Sequence, residues 1–392
     1  MQYNFDVITD RKGTDSLKWE ESHNAIPMWL ADMDFETAPE IIEALSKRVD
    51  HGIFGYNVIP KRWNEAICGW WKERHDYNMK EEWLIFSTGV VPAISSIVRK
   101  ITTVAENVLI LTPVYNIFFN SIVNNGRNVL ECQLDYINGE YEVNYSKLEE
   151  MLSDPQTTMM IFCNPHNPVG KIWSKDELIR ISTLCEKYSV VIVSDEIHCD
   201  LTEPGFEYIP FASVSKWCEE NIITCLAPTK AFNLAGLQTA AVMIPNPNLR
   251  KKVERGLNTD EVAEPNSFAV EATVAAFTKG ESWLNELRKY IFDNKKLVEE
   301  FLDKELPLVK LTKSRATYLL WLDCNDITSS SNKLCDYIRD NYGVMLASGE
   351  SYGKSGNGFL RMNIACPREV LREGLDRFKK GIIAYEDLKR KQ

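Results

Sequence analysis

From about residue 83 to residue 245 the chain alternates short apolar runs with amphipathic stretches. The runs are "WLIFST", "NVLILTP", "NVLECQL", "TMMIFCN", "VVIVSDEI", "IITCLAP" and "TAAVMIP". They are rich in Val, Ile and Leu and bounded by turn residues, which predicts seven buried strands. Helical patterns separate several of them, among them "VPAISSIVRKI" and "SKDELIRISTLCEKY", the second opening on a Ser-x-x-Glu capping box. Strand and helix repeated in this way imply an α/β fold: a mostly parallel seven-stranded sheet flanked by helices. After about residue 281 the pattern changes. A long charged amphipathic helix, "SWLNELRKYIFDNKKLVEEFLDKEL", leads into strands "TYLLWLDC", "GVMLASG" and "FLRMNIAC", with helix "SNKLCDYIRDNY" between them and a closing helix from Pro367. That is the pattern of a smaller α+β domain. The first 45 residues hold little regular structure before "APEIIEALSKRV" and read as a packed arm. The expected division is a large domain over residues 46–285, with residues 1–45 and 286–392 forming the small domain and its arm.

Composition narrows the class. The formal net charge is -11 and no basic cluster stands out before the terminal "DLKRKQ", so a nucleic-acid partner is not expected. No apolar run is long enough to cross a bilayer, and the opening "MQYNFDVITDRKGTDSLKWEE" lacks the apolar core of a signal peptide. A cytoplasmic protein without a membrane partner is expected. The ten cysteines are scattered without a CxxC pair, which reads as buried free thiols. The five histidines show no metal-binding spacing, so no metal is expected.

In an open parallel sheet, ligands bind at the carboxyl ends of the strands. "VVIVSDEIHCD" delivers Asp195 there, "TMMIFCNPHNPVG" delivers Asn164 and Asn167, and "IITCLAPTK" delivers Lys230. Each has an ordinary structural explanation: a helix cap, an Asn-Pro turn, a lysine reaching for water. Their order along the chain adds more. "TGVVPA", "PVY", "NPHNPVG", "SDEIH", "TKAFNLAGL" and "FLRMNIA" occur in the sequence that resembles fold type I pyridoxal-phosphate enzymes, the aspartate aminotransferase superfamily, over nearly the whole chain. "RKGTDSLKWE", "MWLADMDF", "GIFGY", "NPHNPVGKIW", "SDEIHCDL" and "FNLAGLQTA" are similar to one subgroup, the carbon–sulfur lyases that include cystathionine β-lyases and cysteine desulfhydrases.

The resemblance implies pyridoxal 5'-phosphate as cofactor and a role for each matching residue. Lys230 would bind the cofactor aldehyde and shuttle the substrate α-proton, and burial makes the neutral amine these roles need accessible. Asp195 would keep the ring nitrogen protonated. An ion pair at about 4 Å and an effective dielectric near 20 supplies roughly 4 kcal/mol, about three pKa units. Asn167 and His198 would border the phenolic oxygen, His198 standing where many aminotransferases have Tyr. Tyr115 would stack on the ring. The phosphate would meet the backbone N–H groups of Val90 and Val91 at a helix start after Gly89, with the Thr229 hydroxyl added. Ala227 and Gln238 depart here from a common Ser and a phosphate-binding Arg. Tyr56 would reach in from the other subunit of a homodimer with a shared active site. Arg361 would hold the carboxylate of a small amino-acid substrate, and Asp32, Met33 and Phe35 of the arm would build the pocket for the β-substituent. Asn164 and His166 would shape their loop. The subgroup implies α,β-elimination of cysteine conjugates. An aminotransferase built from the same parts, or a lyase with an added regulatory binding role, is the alternative.

Overall fold

The computed structural model describes residues 2–390. All seven apolar runs pair into one sheet: β1 (Leu84–Ser87), β2 (Asn107–Thr112), β3 (Asn128–Gln133), β4 (Thr157–Cys163), β5 (Val191–Asp195), β6 (Ile222–Leu226) and β7 (Ala240–Met243). Their order is β1-β7-β6-β5-β4-β2-β3. β7 runs antiparallel to both its neighbours, and every other adjacent pair is parallel. The fold is therefore α/β with a mostly parallel sheet.

Side chains alternate across the strands, so each strand feeds two cores. Val108, Ile110, Met159 and Ile161 pack on one face with helix Val90–Ile101, while Leu109, Leu111, Met160 and Phe162 pack on the other. Burial on both faces explains why these strands read as continuous apolar runs rather than alternating ones. The helix Lys175–Lys187 begins as its sequence predicts: Ser174 and Glu177 exchange side-chain and backbone hydrogen bonds in a capping box.

A second, antiparallel sheet follows, with β8 (Lys310–Leu311), β9 (Leu319–Asp323), β10 (Ala347–Ser348) and β11 (Phe359–Asn363) in the order β8-β9-β11-β10. Helices Glu281–Glu305, Ser331–Tyr342 and Arg368–Arg390 accompany it. "GVMLASG" is not one strand. Val344–Met345 pairs with Ile26–Pro27 of the arm, and two residues later Ala347–Ser348 turns to β11. The segment thus gives its hydrogen bonds to two partners on different sides, which breaks it in the middle. Among the described residues no helix is long and apolar enough to cross a membrane.

The two sheets meet at a tight crossing. The Gly170 carbonyl accepts from the N–H groups of both Arg315 and Ala316, and Thr317 N–H donates to Leu201 O at 2.7 Å. A Cβ on Gly170 would lie 2.6 Å from the Ala316 carbonyl oxygen, and its φ is +68°. The position requires glycine. The loops after β4 and β5 are thereby fixed against the chain leading into β9.

Candidate active site

β4, β5 and β6 end in register, Cys163 beside Asp195 and Asp195 beside Cys225. The chain beyond each strand therefore leaves the sheet along one edge. There it encloses a cavity of about 260 Å³. Gly89, Val90, Val91, Tyr115, Asn167, Asp195, His198, Thr229 and Lys230 all line it, with Ala31 and Gln238. Segments far apart in sequence converge because a parallel sheet sends every strand's carboxyl end to the same side.

The cavity sets a buried acid near a half-buried amine. Asp195 is 4% exposed and accepts one hydrogen bond, from Ile197 N–H at 3.1 Å. Burial pushes its carboxyl up to about 7. Burial pushes the Lys230 amine the other way, down to about 8, and its Nζ donates to Ala31 O at 2.5 Å. His198 is driven down to about 3 by burial and by the Lys230 and Arg361 charges, which keeps its ring neutral. Its Nδ1 is buried with no hydrogen-bond partner. Burial raises the Tyr115 hydroxyl to about 12. Helix Val90–Ile101 starts at Gly89 without a side-chain cap, so its first N–H groups and the positive end of its dipole face the cavity.

Arg361, Asp32 and Tyr56 lie outside the residues lining this cavity. Arg361 projects from β11, is 4% exposed, and donates to Asn167 Oδ1 at 3.3 Å and to Trp29 O at 2.7 Å. No carboxylate among the described residues pairs with it. Asp32 instead faces Arg11, at 2.9 Å, and Lys18, at 3.6 Å. Tyr56 is fully exposed, in a surface run that also displays Ile53, Phe54 and Val58. Asn164 donates to Ile209 O and His166 lies 2.8 Å from Pro113 O, so both brace the loop that carries Asn167.

Several contributors were not singled out from the sequence. Asn363 donates to Leu30 O and Asp32 O, Tyr318 to Ala31 O, and Asn233 to Met33 O and Phe35 O. Together they hold the arm over the cavity. Their signal was proximity: Asn233 follows Lys230 by three positions and Asn363 follows Arg361 by two. Glu196 is buried beside Asp195, bonded to Ser194, Tyr208, Asn164 and Phe211 N–H. Away from the cavity, His75, Cys199 and Asp200 come within 4.8 Å of one another. Asp200 there is already engaged by Trp70, His75 and Arg74.

The family model for aminotransferase class I and II matches residues 27–378. Cystathionine beta-lyase PatB of Bacillus subtilis is 42% identical over 382 residues, covering 96% of this chain and 99% of the relative. Cystalysin of Treponema denticola, whose crystal structure contains a pyridoxal 5'-phosphate cofactor, superposes with a TM-score of 0.95 at 32% identity, over 98% of this chain and 100% of that one. The pyridoxal-phosphate-bound C-S lyase of Staphylococcus hominis gives a TM-score of 0.91 at 35% identity, over 97% and 99%. With its strand-end amine, acid and amide gathered at one cavity and these likenesses spanning its length, the chain belongs to the class I and II aminotransferase family, on the branch of the cystathionine β-lyases.

Proposed function

We propose that this protein is a pyridoxal-phosphate-dependent carbon–sulfur lyase that cleaves L-cystathionine, L-cysteine or related cysteine conjugates to pyruvate, ammonia and a thiol or sulfide. One observation carries the reading: a half-buried amine and a buried acid, Lys230 and Asp195, line the same cavity, each shifted toward neutrality by the loss of water around it. Such a pair suits a cofactor that offers an aldehyde at one end and a basic nitrogen at the other. The remaining wall fits it too, with an uncapped helix start for a phosphate, an unpartnered His198 Nδ1 and the Tyr115 ring. When bound, pyridoxal phosphate supplies the electron sink that stabilises negative charge at the substrate α-carbon.

The chain's own residues do the rest. With the cofactor bound, Asp195 would hold the proton on its ring nitrogen, Asn167 and His198 would border its phenolic oxygen, Tyr115 would pack on the ring, and Val90, Val91 and Thr229 would donate to the phosphate after the turn at Gly89. Arg361 binds the substrate carboxylate and orients the α-C–H bond. Lys230 Nζ takes that proton. The Cβ–S bond then breaks, its electron pair leaving on the sulfur, and released 2-aminoacrylate hydrolyses to pyruvate and ammonia. Asp32 supports the pocket for the β-substituent, and Tyr56 of a second copy completes each site in a homodimer. Residues 46–285 form the large domain, and residues 1–45 with 286–392 the small one. The ten free cysteines support residence in the reducing cytoplasm.

The test is incubation of the cofactor-loaded enzyme with L-cystathionine and no oxo acid. Pyruvate, ammonia and thiol in equal amounts are expected. Amino transfer on adding 2-oxoglutarate, with no thiol released, would instead make the protein an aminotransferase.

A further inference from the structure

Arg361 is a desolvated cation with an unusual set of supports. Its two terminal nitrogens reach neutral acceptors, its Nε has no partner, and its guanidinium carbon lies 4.9 Å from the centre of the Tyr352 ring. The two hydrogen bonds fix the guanidinium at its edge but leave it free to tilt about the line joining them. A bidentate grip on a planar carboxylate depends on that tilt. The aromatic face removes the freedom, because a cation over the ring loses attraction as it rotates away.

Tyr352 is itself held from both sides. It is 3% exposed, and Trp321 meets its ring edge-on at 5.3 Å. Trp321 in turn stacks on Phe359 and donates its ring N–H to Tyr141. The Tyr352 backbone carbonyl accepts from Val114 N–H at 2.9 Å, one residue before Tyr115. Tyr352 thus ties the guanidinium on β11 to the loop that carries the cavity aromatic. We propose that Tyr352 is a positioning residue, whose ring face sets the plane of Arg361 for the substrate α-carboxylate. This rests on the reading of Arg361 as the carboxylate-binding residue.

Calorimetric titration of the cofactor-loaded enzyme with two substrate fragments tests it: 3-(methylthio)propionate, which carries the carboxylate without the amine, and 2-(methylthio)ethylamine, which carries the amine, free to condense with the cofactor aldehyde, without the carboxylate. Tyr352→Leu should weaken the propionate about tenfold, the loss of one desolvated cation–π contact, and leave the amine unchanged. KM for L-cystathionine should rise by a similar factor with kcat within about twofold. Tyr352→Phe, which keeps the ring, should restore both. The proposal falls if Leu and Phe weaken the propionate equally, if Leu spares it, or if Leu weakens both probes alike. Tyr352→Met replaces Leu should that variant not fold, and failure of both to fold, with Phe intact, would make the ring a core element only. If Arg361→Leu also leaves the propionate unaffected, the carboxylate reading fails and takes the proposal with it. The titrations stand even if L-cystathionine is not cleaved, so failure of the lyase reading is seen separately.

Discussion

Lys230 and Asp195 each spend folding stability to be where they are, because a cavity that strips them of water disfavours both of their charged forms. The sign is testable for the acid. Its folded pKa of about 7 lies above the ordinary carboxylate value of 3.8, so the folded state binds the proton more tightly. Stability of the cofactor-free protein is greatest from this group below about pH 4 and is lost as pH rises toward 7. Asp195→Asn, which carries no charge, should gain over the wild type across that window, reaching roughly 2–4 kcal/mol above pH 7 by urea denaturation. A gain independent of pH would contradict the assignment. At this scale the sequence was most informative where chemistry and pattern disagreed. Lys230 stands as the one charged side chain in "CLAPTKAFNLAGL". Glu196 gave no such signal, since an acid next to Asp195 looks like the start of a helix, and its burial depends on Tyr208 and Phe211, which only the folded chain brings near.

The elements were read more completely than the contacts between them. Seven apolar runs became seven strands because short runs rich in Val and Ile and bounded by turn residues fit strands buried on both faces better than helices. The hairpin Asp135–Ile137 and Glu140–Glu142 lies outside the predicted strands, although Asn138-Gly139, both at positive φ, is the usual two-residue turn. "GVMLASG" read as a single strand because pattern alone cannot show that its partner changes at Leu346. The crossing at Gly170 is likewise invisible in sequence beyond the glycine itself. Gly170→Ala should cost roughly 2–3 kcal/mol, from the positive φ and the overlap with the Ala316 carbonyl and Ser314. It should also lower activity, since Asn167 lies three residues upstream. A thermal melt within about 1 °C of the wild type would show that the crossing bears no strain.

For the whole molecule, the homodimer proposed above would cover the fully exposed Tyr56 and its apolar neighbours. A shared site has a consequence that a self-contained site lacks. When Tyr56→Ala and Lys230→Ala chains are unfolded together and refolded as a mixture, half the dimers should be mixed, and each mixed dimer should hold one intact site. Lyase activity should return to about a quarter of the wild-type value, well above either variant alone. No recovery, with sedimentation showing mixed dimers, would place each site within one chain.

The most direct measurement of the central claim is the mass of one peptide. The cofactor-loaded enzyme is reduced with borohydride, digested and mapped by mass spectrometry. The peptide that contains Lys230 should carry the mass of reduced pyridoxal phosphate, and Lys230→Ala should carry none anywhere. An unlabelled Lys230 peptide, or a label on another lysine, would contradict the account.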